Sequence, residues 1–332
     1  MRRLVWLLGI VALLGTAWWF GVSTALSQGI TGWFEARRAE GWQAELAGPD
    51  RKGFPARVGL ALRDVALADP ATGLAIGLDR LDIYAPTLWP ADPRVDLPAT
   101  PITVATPQGR GALTMAEGTL ALDTYPGTAL GLAGLGWTSG AWSVEGPEGG
   151  LLRATGLTLT MDHVEGATYD LRLAAPGFAP GDALRRPLRV PEDWPVQFEA
   201  LTGAARITFD VPWDRRALEA RRPQPRVIKI SAADAVWGEL SLRLAADLTV
   251  DAAGVPTGSV NLRAENWPIM LDLAEASGLL DPRLRVQAQQ GLNQLARLTG
   301  DPDSLDVQLN LAQGLIAVGF IPIGPAPRLV IR

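Results

Sequence analysis

The chain has 332 residues, of which 48% are hydrophobic and 20% are charged, with one histidine, no cysteine and a formal net charge of −5. Without cysteine it has no disulfide framework, thiolate metal site or cysteine nucleophile, and its acidity excludes the basic surface typical of nucleic-acid-binding proteins. The mean hydropathy of +0.13 is high for a wholly soluble protein and indicates a membrane segment or an unusually apolar face.

The first predicted element is an uncharged apolar segment at the N-terminus. Residues 4–22 follow Arg2 and Arg3, and the next ionisable residue is Glu35. As a helix, this segment would be about 28 Å long, close to the hydrocarbon thickness of a bilayer. Because the arginines precede it, the positive-inside rule leaves the N-terminus in the cytoplasm and exports the rest of the chain. We therefore predict a single-pass anchor, residues 1–28, in a bacterial inner membrane, with the C-terminal region in the periplasm.

A cleaved secretory signal is the alternative to this anchor. Ser23-Thr24-Ala25 supplies small residues at the offsets that a cleavage site needs, and cleavage there would give a soluble periplasmic protein. The apolar segment is longer than a typical signal core, which favours the uncleaved anchor.

A β-rich N-terminal lobe, residues 29–178, is predicted to follow the anchor. Ile30–Leu46 is expected to continue the helix. Gly59–Ile83 then has the pattern of a strand, a turn with Asp and Gly, and a second strand. Alternating apolar and polar residues predict two further strands, Leu157–Met161 and Tyr169–Leu173.

Residues 179–195 are rich in proline, glycine and arginine and are predicted to form a linker or an edge loop. They mark a boundary before a C-terminal β-rich lobe, residues 196–332. The first strand of this lobe is predicted around Ile207–Val211, where apolar and polar residues alternate.

The clearest period-2 pattern in the chain predicts a long amphipathic strand. Its apolar positions are Leu240, Leu242, Leu244, Ala246, Leu248 and Val250. A turn containing Gly254 and Pro256 then precedes a returning strand with Val260, Leu262 and Ala264 on one face. The two strands are expected to pair as a hairpin with one apolar face.

Helical spacing is concentrated in residues 269–299, where Gly278 and Pro282 divide the segment into two helices. One more strand, Leu305–Leu311, follows. Strand spacing of this kind is typical of antiparallel meanders and not of β-α-β units. The predicted fold is therefore mainly β (α+β): an N-terminal transmembrane helix, then a long antiparallel curved sheet or open β-groove with a C-terminal helical insertion.

The motifs of common enzymes and metal sites do not occur in the sequence. His163 is the only histidine, which excludes multi-histidine metal sites, and it is expected at a strand end facing water. Asp301-Pro302-Asp303 is the tightest carboxylate cluster, but it lies between a predicted helix and a strand, where Asp and Pro are typical turn residues. We predict a protein that is not an enzyme, with no catalytic residue, no metal site and no cofactor.

Tryptophan adjoins proline four times, and each pair is expected near a strand end. The favoured interpretation is that the rings pack over the open end of a sheet; the alternative is an aromatic lining for an acyl chain. The pairs are Trp89-Pro90, Trp194-Pro195, Pro212-Trp213 and Trp267-Pro268.

Several of these features together resemble DUF2125, a bacterial envelope family of unknown function. They are the single N-terminal span, Gly41-Trp42, Gly53-Phe54-Pro55, Ala85-Pro86, Trp237-Gly238, Gly254, Gly258, Asn266-Trp267 and the tail from Gly314 to Pro327. The chain is also distantly similar to AsmA-like envelope proteins, which share one anchor and a sheet with a hydrophobic face. That similarity implies a groove-forming sheet and a role in lipid handling or envelope maintenance.

The residues support the same functional prediction on physical grounds. Only the two predicted helices are available to cover the apolar face of the C-terminal sheet, and this cover is expected to be incomplete. The face therefore either closes into a core or remains an apolar trough. We predict a non-enzymatic, membrane-anchored factor that binds or transfers lipids, with a phospholipid or another acyl chain as ligand and no nucleic-acid partner. The predicted lining residues are Leu240, Leu242, Leu244, Leu248, Val260 and Leu262. The alternative is a structural or assembly protein that binds an envelope protein partner through its sheet edges.

Overall fold

The mainly β class is confirmed by the computed structural model, in which the described residues form a long antiparallel open sheet of twenty strands and five helices. The described residues are 2–187, 189–190, 194–219, 221–278, 280–299, 301–319 and 321–331. The helices are α1 (Arg2–Ala39), α2 (Asp182–Arg185), α3 (Arg216–Glu219), α4 (Pro268–Ala276) and α5 (Pro282–Thr299). The strands are β1 (Gln43–Lys52), β2 (Arg57–Asp69), β3 (Leu74–Pro86), β4 (Arg94–Asp96), β5 (Ile102–Thr106), β6 (Gly109–Met115), β7 (Thr119–Thr124), β8 (Leu132–Ser139), β9 (Trp142–Gly146), β10 (Gly149–Ala154), β11 (Leu157–Glu165), β12 (Thr168–Ala174), β13 (Ala179–Pro180), β14 (Ala200–Phe209), β15 (Pro225–Trp237), β16 (Leu240–Val250), β17 (Pro256–Glu265), β18 (Ser304–Ala312), β19 (Leu315–Val318) and β20 (Ile321–Pro325).

These elements belong to two compact units. Unit 1 comprises the chain up to Thr124 together with Gly136–Pro147, and unit 2 comprises Tyr125–Leu135 together with the chain from Glu148 onwards. The segment 179–195 lies within unit 2, and four of its residues lie outside the described part of the chain.

Helix α1 has two halves with opposite environments. In the C-terminal half, Leu26, Ile30 and Phe34 recur at four-residue steps and pack on the β1–β2–β3 sheet of unit 1. The part of the helix before Trp18 projects beyond this packing, and six of its described large apolar side chains are more than half exposed. They include Trp6, Leu7, Ile10, Val11, Leu13 and Leu14. By length and hydropathy α1 is a candidate membrane span, a property that it shares with signal sequences.

The helix ends earlier than the predicted Leu46. It stops at Ala39, and β1 begins at Gln43. Gly41 has a φ of 91°, a left-handed conformation that glycine adopts without a steric penalty, and this turn redirects the chain into the sheet.

The sheet of unit 1 contains a change of face in β2. Leu62 and Val65 are three positions apart, so a regular strand would place them on opposite faces. Both nevertheless contribute to the cluster beneath α1, and Asp64 between them has a φ of 49°. This local distortion keeps the apolar residues of both halves of β2 against the helix.

Unit 2 contains a meander of nine strands, paired in the order β11, β12, β14, β15, β16, β17, β18, β19 and β20. The strands predicted from alternation in this region are present, but the strand predicted at Ile207–Val211 begins earlier, at Ala200, and ends at Phe209. Helices α4 and α5, which occupy the predicted 269–299 segment, are inserted between β17 and β18. Gly278, with a φ of 77°, follows α4 and Pro282 begins α5, so the predicted break is also confirmed.

Candidate functional site: the apolar face of unit 2

The pairing of β16 with β17 brings the predicted lining residues onto one face. Leu244 lies opposite Leu262, and Ala246 lies opposite Val260. Leu242 and Leu248 continue the same face of β16, because alternate residues of a strand point to the same side. Leu240 also belongs to this face, where it pairs with Trp237 of β15.

The apolar face extends well beyond this hairpin. One row of directly paired residues crosses all nine strands of the meander, and every member is apolar. The row consists of Met161, Leu171, Ala205, Ile230, Ala246, Val260, Leu309, Val318 and Ile321. A parallel row contains Leu159, Leu173, Gly203, Ala233, Leu244, Leu262 and Val307. At a strand spacing of about 4.8 Å, the first row is about 38 Å long.

Exposure varies along this face. Leu240 and Leu248 are buried, with 5% and 7% of their surface exposed, whereas Leu244, Val260 and Leu262 are half-buried. The face is therefore a closed core at some positions and a partly open surface at others.

Two clusters cover parts of the face. Trp267, together with Met270, Leu271 and Leu292 of the α4–α5 insertion, packs over Leu242. In the second cluster, Ala326 of the C-terminal tail packs with Leu248 and Leu311. Helical and tail segments thus cover the sheet in separate places.

The opposite face of the meander is polar and is crossed by ion pairs. Directly paired residues form the row Asp162, Asp170, Arg206, Lys229, Asp247, Ser259 and Asn310. The Arg206 guanidinium donates hydrogen bonds to both Asp170 oxygens, at 2.7 and 2.9 Å, and this holds the pKa of the Asp170 carboxyl below its usual range. Adjacent rows of one sheet therefore differ sharply in polarity, as expected where one face packs against apolar side chains and the other faces water.

Sequence reasoning missed a concavity of about 710 Å³ in unit 1. Strands β2 and β3 line it mainly with small residues, among them Ala66, Ala75 and Gly77. Glu45 and Arg110 add charge to the lining. The signal that could have found it is the run of small residues at alternate positions, since such positions leave a shallow depression in a pleated surface.

His163 and the acidic pair Asp301 and Asp303, for which no catalytic role was predicted, make local hydrogen bonds. The Tyr125 hydroxyl oxygen lies 3.0 Å from Nδ1 of His163, and Nε2 of His163 lies 3.1 Å from the Gly166 carbonyl oxygen, so both ring nitrogens have hydrogen-bond partners. His163 lies near the end of β11, as predicted, and is half-buried. The Asp303 backbone N–H donates to Oδ1 of Asp301 at 3.0 Å, which confirms the predicted turn. The part of the chain that the structure describes contains no cluster of three or more acidic or histidine side chains able to hold a metal ion.

The tryptophans beside prolines differ in exposure. Trp267 is 1% exposed and donates through Nε1 to the carbonyl oxygen of Pro302 at 3.1 Å, so it is a packing residue, in agreement with the favoured interpretation. Trp194 packs edge-on against Trp237 with ring centroids 5.9 Å apart. Trp89 is 36% exposed.

Comparison with known proteins gives one match. No curated protein and no solved structure matches the chain. A family model described as "Uncharacterized protein conserved in bacteria (DUF2125)" matches residues 19–327, which include the C-terminal half of α1 and both units. Because this match covers nearly the whole chain, the protein belongs to the DUF2125 family of uncharacterised bacterial proteins.

Proposed function

We propose that this protein is a non-enzymatic, membrane-anchored periplasmic factor that binds the acyl chains of lipids on the apolar face of unit 2. The observation that carries the proposal is the uninterrupted apolar row across nine strands, from Met161 to Ile321. Each CH₂ group that leaves water on such a surface contributes about 0.8 kcal/mol. Acyl chains are therefore the ligands best matched to the partly open stretch of this chemically uniform face.

The partly open stretch of the face gives this ligand a place to bind. Leu244, Val260 and Leu262 are half-buried and lie on neighbouring strands, and their pairing partners are also apolar. An acyl chain lying across these positions would cover apolar surface without displacing a hydrogen bond, because the backbone groups there are paired within the sheet.

The packing of α1 supports the anchored form over the cleaved one. Trp19 is 5% exposed and donates through Nε1 to the Arg57 carbonyl oxygen at 2.7 Å, and Ser23 is fully buried. Cleavage after Ala25 would remove both residues from unit 1. The family match also begins at residue 19, inside the helix. We therefore propose a single-pass inner-membrane protein with its N-terminus in the cytoplasm.

A fold-level analogy adds to this proposal. AsmA-like envelope proteins also combine one anchor with a sheet that has a hydrophobic face, and the similarity implies lipid handling or envelope maintenance.

The proposal is tested by placing a larger apolar side chain in the open stretch. The full chain and its Val260→Trp variant are purified in mild detergent, incubated with a photoactivatable phospholipid, and analysed by mass spectrometry of the crosslinked peptides. We expect the wild-type chain to crosslink within β16–β18 and Val260→Trp to lose most of this labelling.

The matched control is Asn261→Trp, which adds the same ring to the next position of β17 on the polar face. It should label like the wild type, and the melting temperatures of both variants show whether they are folded. Equal labelling of the two folded variants, or no labelling of the wild-type chain, would exclude the apolar face as a lipid site.

The alternative function, partner binding through sheet edges, has weaker support. Strand β20 contains Pro322 and Pro325, and β1 contains Pro49. Proline lacks the N–H that strand addition requires and is a common device that protects edges against pairing. Absence of lipid binding by the wild-type chain, together with a completely filled interior, would favour this alternative.

A further inference from the structure

The end of unit 1 from which α1 emerges carries a cluster of exposed apolar side chains. The Trp18 indole donates to the Thr87 carbonyl oxygen at 2.9 Å, and Trp19 packs edge-on against Phe54 with ring centroids 5.3 Å apart. Leu88, next to Thr87, is 91% exposed, and Phe54 is 54% exposed. These contacts fix the two loop residues at the level of Trp18 along the helix. We call Trp18, Phe20, Phe54 and Leu88 the apolar rim.

The loops that carry the rim are held to each other as well as to the helix. The Thr87 hydroxyl donates to the Pro55 carbonyl oxygen at 2.9 Å, and the Thr87 N–H donates to the Ala56 carbonyl oxygen at 3.2 Å. The loop before β2 and the loop after β3 therefore form one rigid end of the sheet. Phe54 and Leu88 remain exposed on this end.

The length of the helix places this rim relative to a bilayer. A transmembrane helix needs about 20 residues, so a span that starts at Leu4 ends near Ser23. Residues 18 and 20 would then lie about 5–8 Å inside the far boundary of the hydrocarbon. That depth matches the 5–10 Å to which interfacial apolar side chains enter a membrane surface.

Cationic side chains flank the rim at the same end of the sheet. Arg57 is the first residue of β2, and its guanidinium lies 5.2 Å from the ring centroid of Tyr84. Arg94, the first residue of β4, pairs with Tyr84. Both arginines are exposed and available to anionic lipid headgroups. Apolar side chains bordered by arginine are the composition expected of a surface that lies in a membrane interface.

We propose that the apolar rim inserts into the periplasmic leaflet of the same bilayer that α1 spans, so that unit 1 rests directly on the membrane. This inference depends on the proposed anchoring of α1. The surface that contacts the rim is a lipid bilayer, because the rim surrounds the point where the span leaves the bilayer. No other partner can reach that point while the helix is in the membrane.

The absence of cysteine from the sequence makes single-site labelling a direct test. Leu88→Cys, Leu74→Cys and Leu7→Cys are each labelled with an environment-sensitive NBD fluorophore and reconstituted as full-length protein in vesicles of phosphatidylethanolamine and phosphatidylglycerol. Leu74 is a matched control, since it is an exposed leucine at the other end of β3, about 40 Å from Pro86. Leu7 reports on the span itself. All three side chains are exposed, so the substitutions leave the core intact.

Quenching by lipids that carry a nitroxide on the acyl chain should be several-fold stronger at positions 7 and 88 than at position 74, with a blue shift of emission at both. Strong quenching at position 7 with equal, weak quenching at 88 and 74 would overturn the rim insertion and leave the anchor in place. Weak quenching at all three positions would overturn both. Replacing phosphatidylglycerol with a neutral lipid should reduce quenching at position 88 and not at position 7.

Discussion

Asp170 and Arg206 show how single residues fix the polar face of unit 2. Their two parallel hydrogen bonds join β12 to β14 at directly paired positions. The Arg206 guanidinium favours the ionised carboxylate, so the pKa of Asp170 is lower in the folded protein than the ordinary value of 3.8. A lowered pKa means that the pair stabilises the folded state at neutral pH and that this contribution is lost as the pH falls through the lowered pKa.

The Asp170→Asn variant tests this linkage. We expect a lower melting temperature than wild type at pH 7, and a difference that begins to shrink as the pH falls below the ordinary pKa of 3.8 and disappears only below the lowered pKa of the folded state, where the wild-type carboxylate is protonated. Asp247→Asn is the control: its carboxylate lies 3.6 Å from Lys229 and is 64% exposed, so a smaller loss is expected at pH 7. A melting-temperature difference that stays constant from pH 7 to pH 3 would contradict the prediction.

At the scale of single residues, the sequence predicted those features that depend on neighbouring residues of the chain. The turn at Asp301 follows from the side-chain hydrogen bond that an aspartate makes two residues ahead. The partners of His163 could not be predicted in the same way, because Tyr125 lies 38 positions away in the chain. Contacts of this kind depend on how distant strands pair.

Among the elements, α1 is the clearest case of one helix in two environments. Phe34 is 5% exposed within the unit 1 core, whereas Phe20 of the same helix is 52% exposed. The first therefore contributes to the fold, and the second is free to contact lipid.

This difference predicts unequal effects of two identical substitutions. Phe34→Ala should lower the free energy of unfolding by about 3–5 kcal/mol, because it leaves a cavity between α1 and β2. Phe20→Ala should change it by less than about 0.5 kcal/mol in detergent. Urea unfolding of the full-length variants, followed by circular dichroism, measures both effects. Equal midpoints for the two variants would show that α1 does not pack on unit 1 in solution.

Most elements were predictable from periodicity, and their irregularities were not. The alternation in β16 and β17 predicted both strands and their shared face, and the glycine and proline at 278 and 282 predicted the break between α4 and α5. The change of face at Asp64 could not be predicted, because it depends on the position of α1 against β2. The early end of α1 at Ala39 has a local cause in Gly41, which was visible in the sequence.

At the scale of the whole molecule, the sequence predicted the mainly β class, the antiparallel strands of unit 2 and the hairpin of β16 and β17 among them. It did not predict the branching of unit 1, where β3 pairs with β4 near one end and with β5 near the other. Short strands carry little periodic signal, so their pairing is decided by tertiary packing. The apolar row across nine strands likewise emerged only once the register was known, although the six proposed lining residues were identified from alternation alone.

The fate of the N-terminal segment is a prediction about the whole chain. Intact mass spectrometry of the protein extracted from bacterial membranes should show a mature chain that retains Trp19 and Ser23, since both are buried in unit 1. A mass that corresponds to a chain beginning after Ala25 would contradict the anchored form.

A Ser23→Arg variant, which places a charge at this buried position, should accumulate to a lower level in the membrane fraction than a Ser27→Arg variant on the same helix.

The continuity of α1 has a mechanical consequence. One unbroken helix of 38 residues passes from the exposed apolar half into the packing of unit 1, so no flexible joint separates the two. A tilt of the helix therefore also tilts the sheet that packs on it. In the proposed anchored form, unit 1 thus stays at a fixed height above the inner membrane.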